Sequence, residues 1–395
     1  MRVIGLMSGT SYDAIDAAAL DVGIEADSIV VTPRGMISRP YPDEVRTALA
    51  AALPPAQITV GAVCRLDTLV GQAFASAAGR AVGELCAGQA DLIASPGQTV
   101  FHWVEDNRVH GTLQIGQPAW IAEHTGIPVV SDFRTRDVAA GGQGAPLVSI
   151  FDVLWLRGRP GVPVALNLGG IANITVAGGT AEPVAFDTGP ANALIDAAMR
   201  DVTGGRLAFD ANGAMAARGQ VHEPLLGRLL AEPYYALPAP KSTGKELFHL
   251  AYLHAVMAGL APLAPEDLMA TVTALTARTV ADAVIASSAT EVIAAGGGTR
   301  NSTLMSWIAG ALGSVPVRTS DELGLPASAK ETYAFAVLGF LTVHGLNGTV
   351  PSCTGARHPS VLGSLTPGRQ PLRLPTPLAT SPGRLRVVSA SRKPR

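Results

Sequence analysis

Three glycine-containing turns follow apolar segments of the chain, and their residue types suit phosphate binding. The first turn, Ser8-Gly9-Thr10-Ser11, comes directly after the apolar run Val3–Met7. Small residues let backbone N–H groups approach an anion closely, and the hydroxyl groups add further donors. Asp13 and Asp16 follow, and carboxylates of this kind hold Mg²⁺ or its waters. Taken alone, the segment also fits an ordinary tight hairpin with a polar tip.

The second and third turns lie in the later part of the chain. The second turn, Gly169-Gly170, separates the apolar runs 162–168 and 171–176, so it repeats the strand–turn–strand order of the first turn. The third turn, Gly296-Gly297-Gly298, directly follows the predicted strand Glu291–Ala295 and fits a flexible loop equally well. The repetition favours phosphate binding over two unrelated turns. The predicted ATP contacts are Gly9, Thr10, Ser11, Tyr12, Asp13, Ala14, Ile15, Asp16, Gly169, Gly170, Gly296, Gly297 and Gly298.

Two common nucleotide motifs are excluded by their spacing. The run that ends at Lys245 lacks the first glycine of a P-loop, and Glu246 stands where the metal-binding Ser or Thr would be. Around Gly296 the order is G-x-G-x-x-N near the end of the chain, which is a weak dinucleotide fingerprint. A phosphate cradle built from turn amides remains as the hypothesis.

Asp187 is the predicted catalytic residue. It ends an apolar strand and is followed by a Thr-Gly-Pro turn and a helix that begins near Asn192. A carboxylate in this position projects into a crevice and suits a general base, although capping of the helix is the alternative. Thr188 is a second residue that suits capping. Glu331, in the last strong helical segment, is either a second acid or an exposed helical residue.

His102 is a candidate for contact with a sugar hydroxyl. Gln98 and His102 lie in one short polar segment, where a single histidine is more often structural than functional. Arg134 precedes the stretch Gly141-Gly142-Gln143-Gly144, whose residues do not suit packing in a core. Such a stretch predicts a loop that a ligand or another backbone approaches closely.

Composition limits the class of protein. The 395 residues are 48% hydrophobic and 15% charged, which predicts a globular chain of two domains. A net charge of −2 provides no field for nucleic acid or an anionic membrane. Three cysteines without CxxC spacing predict neither a metal site nor disulfides, and Cys64 and Cys86 are expected as core residues on helices. Without a run of eighteen apolar residues, we expect a cytosolic protein.

The order of elements predicts an α/β fold with mixed sheets. Strands are followed by helices twice, and a hairpin opens each half. Apolar residues three and four apart predict helices around 63–74, 268–284 and 328–344. After Gly368 the chain is basic and contains no acidic residue, so we expect a solvated terminus rather than a polyanion-binding tail.

Several of these segments together resemble the anhydro-N-acetylmuramic acid kinases, in order from residue 3 to about residue 368. The matching motifs are GLMSGTSYDAID at 5–16, SPGQTVFH at 95–102, DFRTRDVAAGGQGAPLV at 132–148, NLGGIANIT at 167–175, FDTGPANALID at 186–196, PKSTGKELF at 240–248, AGGGTRN at 295–301 and KETYAFAVLG at 330–339. Pro96 replaces the usual His of the family, and Ala14 and Ala191 replace Gly. The alanines restrict the backbone if φ is positive there.

The resemblance implies two actin-like (RNase H-like) α/β domains with mixed sheets around a nucleotide cleft. The expected domains are residues 1–132 with about 340–368, and residues 133–339, followed by a disordered basic tail at 369–395. It also implies that ATP, as Mg-ATP, phosphorylates O6 while water opens the anhydro sugar. Asp187 would be the base, Gln98 and Glu331 would lie near the sugar, and Arg134 would pair with the lactyl carboxylate. A homodimer, which is frequent in the family, stays open.

Two other functions remain as alternatives. A kinase of the same fold that acts on an ordinary hydroxyl, such as an N-acetylhexosamine kinase, would share the phosphate turns. Many of those enzymes carry a His/Cys zinc cluster that this chain lacks. An actin- or Hsp70-like nucleotide switch would need an added partner-binding domain or polymerising surface, and no added domain is visible in the sequence.

Overall fold

The structure is a computed structural model that describes residues 1–9, 12–53, 56–105, 108–178, 181–244, 247–378 and 380–388. The chain forms two compact units. Unit 1 consists of Met1–Gly158 together with the segment from Ala329 onward, and unit 2 consists of Arg159–Ser328. Each unit has its own sheet.

The described strands and helices are numbered in chain order. The strands are β1 Arg2–Met7, β2 Ala14–Glu25, β3 Ser28–Pro40, β4 Leu92–Ser95, β5 Gln98–Glu105, β6 Arg108–Ile115, β7 Val129–Ser131, β8 Pro163–Leu168, β9 Ile171–Val176, β10 Val184–Pro190, β11 Glu291–Ala295, β12 Val317–Thr319, β13 Ser364–Thr366 and β14 Arg384–Val387. The α-helices are α1 Asp43–Ala52, α2 Val60–Cys86, α3 Pro118–Thr125, α4 Phe133–Ala139, α5 Ser149–Leu156, α6 Asn192–Val202, α7 Glu223–Leu230, α8 Leu250–Met257, α9 Pro265–Ala286, α10 Ser302–Leu312, α11 Lys330–Val343 and α12 Pro351–Thr354.

Unit 1 is built on a mixed sheet with the strand order β13-β7-β4-β1-β2-β3-β14. β1 pairs antiparallel with β2 and parallel with β4. Alternate residues of a strand point to opposite faces. Ile4 and Leu6 accordingly belong to the core that contains Phe74 of α2, while Gly5 faces Thr332 of α11. The sheet is therefore covered by a helix on each face.

Unit 2 has a mixed sheet with the order β10-β9-β8-β11-β12. β8 pairs antiparallel with β9 and parallel with β11, so the second and third turns follow neighbouring parallel strands. Helix α9 is the one described helix with the length and apolarity to cross a membrane, and 72% of its apolar window is buried. It packs against α6, α7 and α10, and this burial accounts for its apolar composition.

The predicted α/β class with mixed sheets is confirmed, and several finer expectations differ from the structure. The units divide at 158/159 and 328/329 rather than at 132/133 and 339/340. The first boundary differs because α4 packs on β6 and α5 packs on β14; the second differs because α11 packs on β1, β2 and β4. The expected disordered tail contains β14, which pairs parallel with β3 and buries Leu385. Cys86 is buried as expected, but Cys64 is exposed.

The contact between β1 and α11 gives a first prediction, the effect of Gly5→Ala. A Cβ built on Gly5 would come within 2.0 Å of the Thr332 carbonyl oxygen, so the helix must move away from the sheet. Overpacking of this kind costs about 1–3 kcal/mol, and urea unfolding followed by circular dichroism should show an earlier transition. The control is Gly23→Ala on the adjacent strand, because nothing lies within 4 Å of its added Cβ. Equal stability of the two variants would contradict the close approach.

Candidate active site

The start of the first turn in unit 1 is held by hydrogen bonds to a buried glutamine, Gln98. The Ser8 hydroxyl donates to Gln98 Oε1 at 2.6 Å, and the Tyr41 hydroxyl donates to Ser8 Oγ at 3.1 Å. The Gln98 amide in turn donates to the carbonyl oxygen of Gly9 at 3.4 Å. Gln98 is only 2% exposed. In the structure Gln98 therefore supports the turn, and its contact with a sugar stays a prediction.

The remaining residues of the predicted first phosphate site differ in their surroundings. Thr10 and Ser11 lie outside the described residues. Tyr12 has a φ of 44°, and Asp13 is exposed just before β2. The Ile15 side chain is part of the core, so only its backbone is available to a ligand. Asp16 is half-buried.

The two alanines that replace glycine are not strained by a positive φ. Ala14 begins strand β2 and does not have a positive φ, and Ala191 has a φ of −121°. Neither residue is in the left-handed region that favours glycine. The backbone restriction expected for a positive φ therefore does not arise.

Unit 1 also brings together charged residues that are far apart in the sequence. Burial raises the pKa of the Glu331 carboxyl; the charges of Arg134 and Lys330 oppose this rise, and the carboxylates of Asp16 and Asp152 add to it. Burial lowers the pKa of Arg134, against the opposing charge of Glu331. Arg134 donates through Nη1 to the Gly144 carbonyl oxygen at 2.7 Å. Its Nε is buried and has no hydrogen-bond partner among the described residues.

The loop 141–144 is held by a buried aspartate that the sequence reasoning did not single out as a functional residue. Asp137 is fully buried and accepts hydrogen bonds from Gly144 N and Thr354 Oγ1, both at 2.8 Å. Burial raises the pKa of Asp137, and these two hydrogen bonds oppose the rise. His102 contacts the same loop, since its Nε2 lies 3.1 Å from the Gln143 carbonyl oxygen. His102 therefore has a structural contact in the loop, and its predicted sugar contact remains untested.

A buried ion pair fixes the beginning of α11 beside Glu331. Lys330 Nζ lies 2.7 Å from Asp152 Oδ1 of α5, and the side chains are only 3% and 6% exposed. Neither residue is among the predicted functional residues. An ion pair with so little exposure is stable only when its partners stay together. The pair thus ties α11 to α5 within unit 1.

Asp187 in unit 2 lies at a bulge within the edge strand β10. The strand continues to Pro190, so the predicted end of the strand at Asp187 is wrong. The pairing with β9 shifts between Asp187 and Gly189. The Asp187 carboxylate accepts a hydrogen bond from Thr243 N at 2.9 Å. Helix α6 has Ala191 at its N-cap and no side-chain capping bond, so neither Asp187 nor Thr188 caps it. The capping alternatives for both residues are therefore wrong.

The second and third turns meet within unit 2. A Cβ on Gly296 would lie 2.8 Å from the Leu168 carbonyl oxygen, and one on Gly298 would lie 2.7 Å from Leu168 Cβ. The carbonyl oxygens of Gly169 and Gly170 accept hydrogen bonds from the first amides of α6. Gly297, in contrast, has open space beside it. It lines a cavity of about 260 Å³ together with Asn192, Ile195, Asp196, Phe209, Asp210, Asn212, Arg300 and Asn301.

These features define an α/β protein with glycine turns at the ends of strands and a hydrogen-bonded carboxylate at a strand bulge. The sequence model for anhydro-N-acetylmuramic acid kinase matches residues 1–368. The kinase of that name from Streptomyces avermitilis is 68% identical over 385 residues, covering 98% of this chain and 99% of the relative. That from Rhodococcus erythropolis is 61% identical over 98% of this chain and 99% of the relative. The chain belongs to the anhydro-N-acetylmuramic acid kinase family, as the sequence motifs predicted.

A comparison with solved structures gives more distant similarity. Component A of the Acidaminococcus fermentans (R)-2-hydroxyglutaryl-CoA dehydratase aligns with a TM-score of 0.43 and 11% identity. The alignment covers 86% of this chain and 98% of that chain. The ROK hexokinase from Thermus thermophilus aligns with a TM-score of 0.37 and 14% identity, over 87% of this chain and 99% of that chain.

The buried ion pair gives a second prediction, the effect of Lys330→Met. The variant removes the ammonium group beside a buried carboxylate, which should destabilise the protein by about 3–5 kcal/mol. Urea unfolding monitored by circular dichroism measures the change. The further change Asp152→Leu in the same chain should recover much of the loss, because the buried carboxylate is then also removed.

The matched control is Arg278→Met on the exposed pair with Asp282, whose side chains are 61% and 57% exposed. Exposed pairs contribute only about 0.2–1 kcal/mol, so this variant should unfold almost like the original chain. If Lys330→Met lowered the stability no more than Arg278→Met, the buried ion pair would not hold α11 in place.

Proposed function

We propose that this chain opens 1,6-anhydro-N-acetylmuramic acid with water and phosphorylates O6 from ATP, giving N-acetylmuramate 6-phosphate and ADP in cell-wall recycling. Family membership supports the substrate. The observation that carries the chemistry is the Asp187 carboxylate, held by the Thr243 amide at the bulge within β10. A base in this reaction must be held in one direction, and a backbone amide supplies that constraint.

The substrate itself requires a base that acts on water. Its O6 is locked in an acetal with C1, so there is no free 6-hydroxyl to deprotonate. Asp187 takes a proton from water as the water oxygen bonds to C1, and the C1–O6 bond breaks. O6 then accepts the γ-phosphoryl group, whose bond to the bridging oxygen of ATP breaks, and ADP leaves. The proton on Asp187 passes to solvent afterwards.

The proposed ATP contacts are divided among the three turns. Gly297 has open space beside it and lines the cavity near α6, which supports contact with the planar base of adenosine. The amides of the first and second turns are proposed to bind phosphate oxygens. Asp13 and Asp16 supply carboxylate oxygens, which fit Mg²⁺ accompanying ATP, and Mg²⁺ would neutralise phosphate charge. No cluster of three or more His, Cys, Asp or Glu within the described ranges fits a metal ion held by the protein alone.

The proposed sugar contacts come from the charged cluster of unit 1. Arg134 has a buried Nε without a partner in the described part of the chain, which supports pairing with the lactyl carboxylate. Burial raises the pKa of Glu331, so this side chain holds a proton more readily and can donate a hydrogen bond to the sugar. Pro96 is buried where the family usually has His, so that imidazole contact is absent. A cytoplasmic location and a homodimer stay predictions.

A third prediction concerns the proposed base and uses Asp187→Asn. Removing a general base should reduce turnover by about 10³-fold, while ATP binding is retained. Coupled ADP release with the anhydro sugar measures turnover, and calorimetry measures ATP binding. The matched control is Asp282→Asn, which changes an exposed aspartate of the same unit and should turn over normally. Near-normal turnover of Asp187→Asn would show that another group is the base.

A fourth prediction separates hydrolytic opening from ordinary hydroxyl phosphorylation. When the reaction runs in ¹⁸O-water, the product should carry the label in the hydroxyl at C1, because water attacks that carbon. Rapid mass spectrometry of the product, before the hemiacetal exchanges its oxygen, measures the label. N-Acetylmuramic acid and N-acetylglucosamine serve as comparison substrates. Unlabelled product, or faster ADP release with the free sugars, would indicate the N-acetylhexosamine kinase alternative instead.

A further inference from the structure

The outer edge of β10 is covered by a segment that begins about fifty residues later in the chain. β10 is the last strand of the unit 2 sheet, so only one of its edges pairs with another strand. On the other edge, Asp187 N donates to the Lys241 carbonyl oxygen at 3.0 Å. The Tyr234 hydroxyl donates to the Asp187 carbonyl oxygen at 2.7 Å. Both backbone groups of Asp187 are therefore bound by one segment, residues 234–243, which we call the edge segment.

The Lys241 ammonium group joins the end of the edge segment to its beginning. Lys241 Nζ donates to the carbonyl oxygens of Tyr234 and Tyr235, at 3.2 and 2.9 Å. It also lies 4.8 Å from the centre of the Tyr234 ring, within the range of a cation–π contact. Lys241 therefore binds Asp187 N through its own carbonyl oxygen. Its ammonium group also holds Tyr234, whose hydroxyl binds the Asp187 carbonyl oxygen.

Tyr234 and Tyr235, at the start of the edge segment, both contact the bulge. A Cβ added to Gly189, whose φ is 147°, would lie 2.8 Å from the Tyr235 ring. Tyr234 is only 6% exposed, and its ring meets the Phe248 ring edge-on, with centroids 6.1 Å apart. A bulged strand has lost part of its regular pairing, so contacts of this kind help to hold Asp187 in one direction.

We infer that Tyr234 and Lys241 are positioning residues for Asp187, acting through its backbone rather than on the substrate. The inference rests on the proposed function, in which Asp187 is the base. Thr243 N, in the same edge segment, binds the Asp187 carboxylate, so a shift of the segment moves the backbone and the carboxylate together. A misplacement of about 1 Å is enough to reduce a rate about a hundredfold.

The test compares Tyr234→Phe with Tyr252→Phe. Both variants remove one buried hydroxyl from the same aromatic cluster, but the Tyr252 hydroxyl has no hydrogen-bond partner within the described ranges. We expect Tyr234→Phe to lower kcat about tenfold to a hundredfold. Its KM values for ATP and the anhydro sugar should stay within about twofold of the original, since the lost hydroxyl binds the backbone of Asp187. Tyr252→Phe should leave kcat unchanged. Equal kcat values for the two variants would overturn the inference.

Lys241 provides a second test with a conservative partner. Lys241→Met removes the donor to both carbonyl oxygens and should lower kcat by a similar factor, whereas Lys241→Arg keeps the charge and the donors and should restore most of it. Unfolding midpoints measured in parallel separate positioning from loss of fold. A rise in KM without a fall in kcat, or no recovery in Lys241→Arg, would contradict positioning.

The kcat of Asp187→Asn, measured in the same assay, shows which proposal has failed: the role of Asp187 as the base, or the positioning role of Tyr234 and Lys241. If Asp187→Asn is inactive while Tyr234→Phe and Lys241→Met are normal, the base is correct and the positioning role is wrong. If Asp187→Asn is active, the proposed base is wrong, and the positioning role is overturned with it.

Discussion

In each unit, two stretches of backbone approach each other too closely for a side chain to stand between them. Gly5 of β1 faces the Thr332 carbonyl oxygen of α11 in unit 1, and Gly296 faces the Leu168 carbonyl oxygen in unit 2. Only glycine permits such contacts, because any Cβ would overlap the opposing atoms. The first contact sets the beginning of α11, and hence Glu331, against the strand that leads to the first turn. The second sets the third turn against the end of β8.

Buried polar groups add a second constraint, because each of them needs a partner to offset its desolvation. In unit 1 the partners also connect separate segments. Asp137 joins the loop 141–144 to Thr354, and Lys330 joins α11 to Asp152 of α5. Arg134 and Glu331 lie among these contacts, and burial moves their pKa values in opposite directions. These two residues are the proposed contacts with the sugar acid.

The proposed base is held in a different way. Asp187 lies within an edge strand, where regular pairing is interrupted by a bulge. Its backbone is bound by Tyr234 and Lys241, and its carboxylate by Thr243, all from the edge segment. A carboxylate that removes a proton from water must keep its direction during the reaction. In this protein the edge segment, rather than the sheet, supplies that rigidity.

The sequence by itself determined the mixed α/β class and the family, because apolar periodicity and long motifs are local signals. It did not determine the unit boundaries, the pairing of β14 with β3, or the support that Gln98 gives to the first turn. Nor did it indicate that Tyr234 binds Asp187, which lies 47 residues earlier in the chain. Hydrogen bonds over such separations leave no periodic pattern in the sequence. Only the folded chain, which must pair its buried polar groups, decides them.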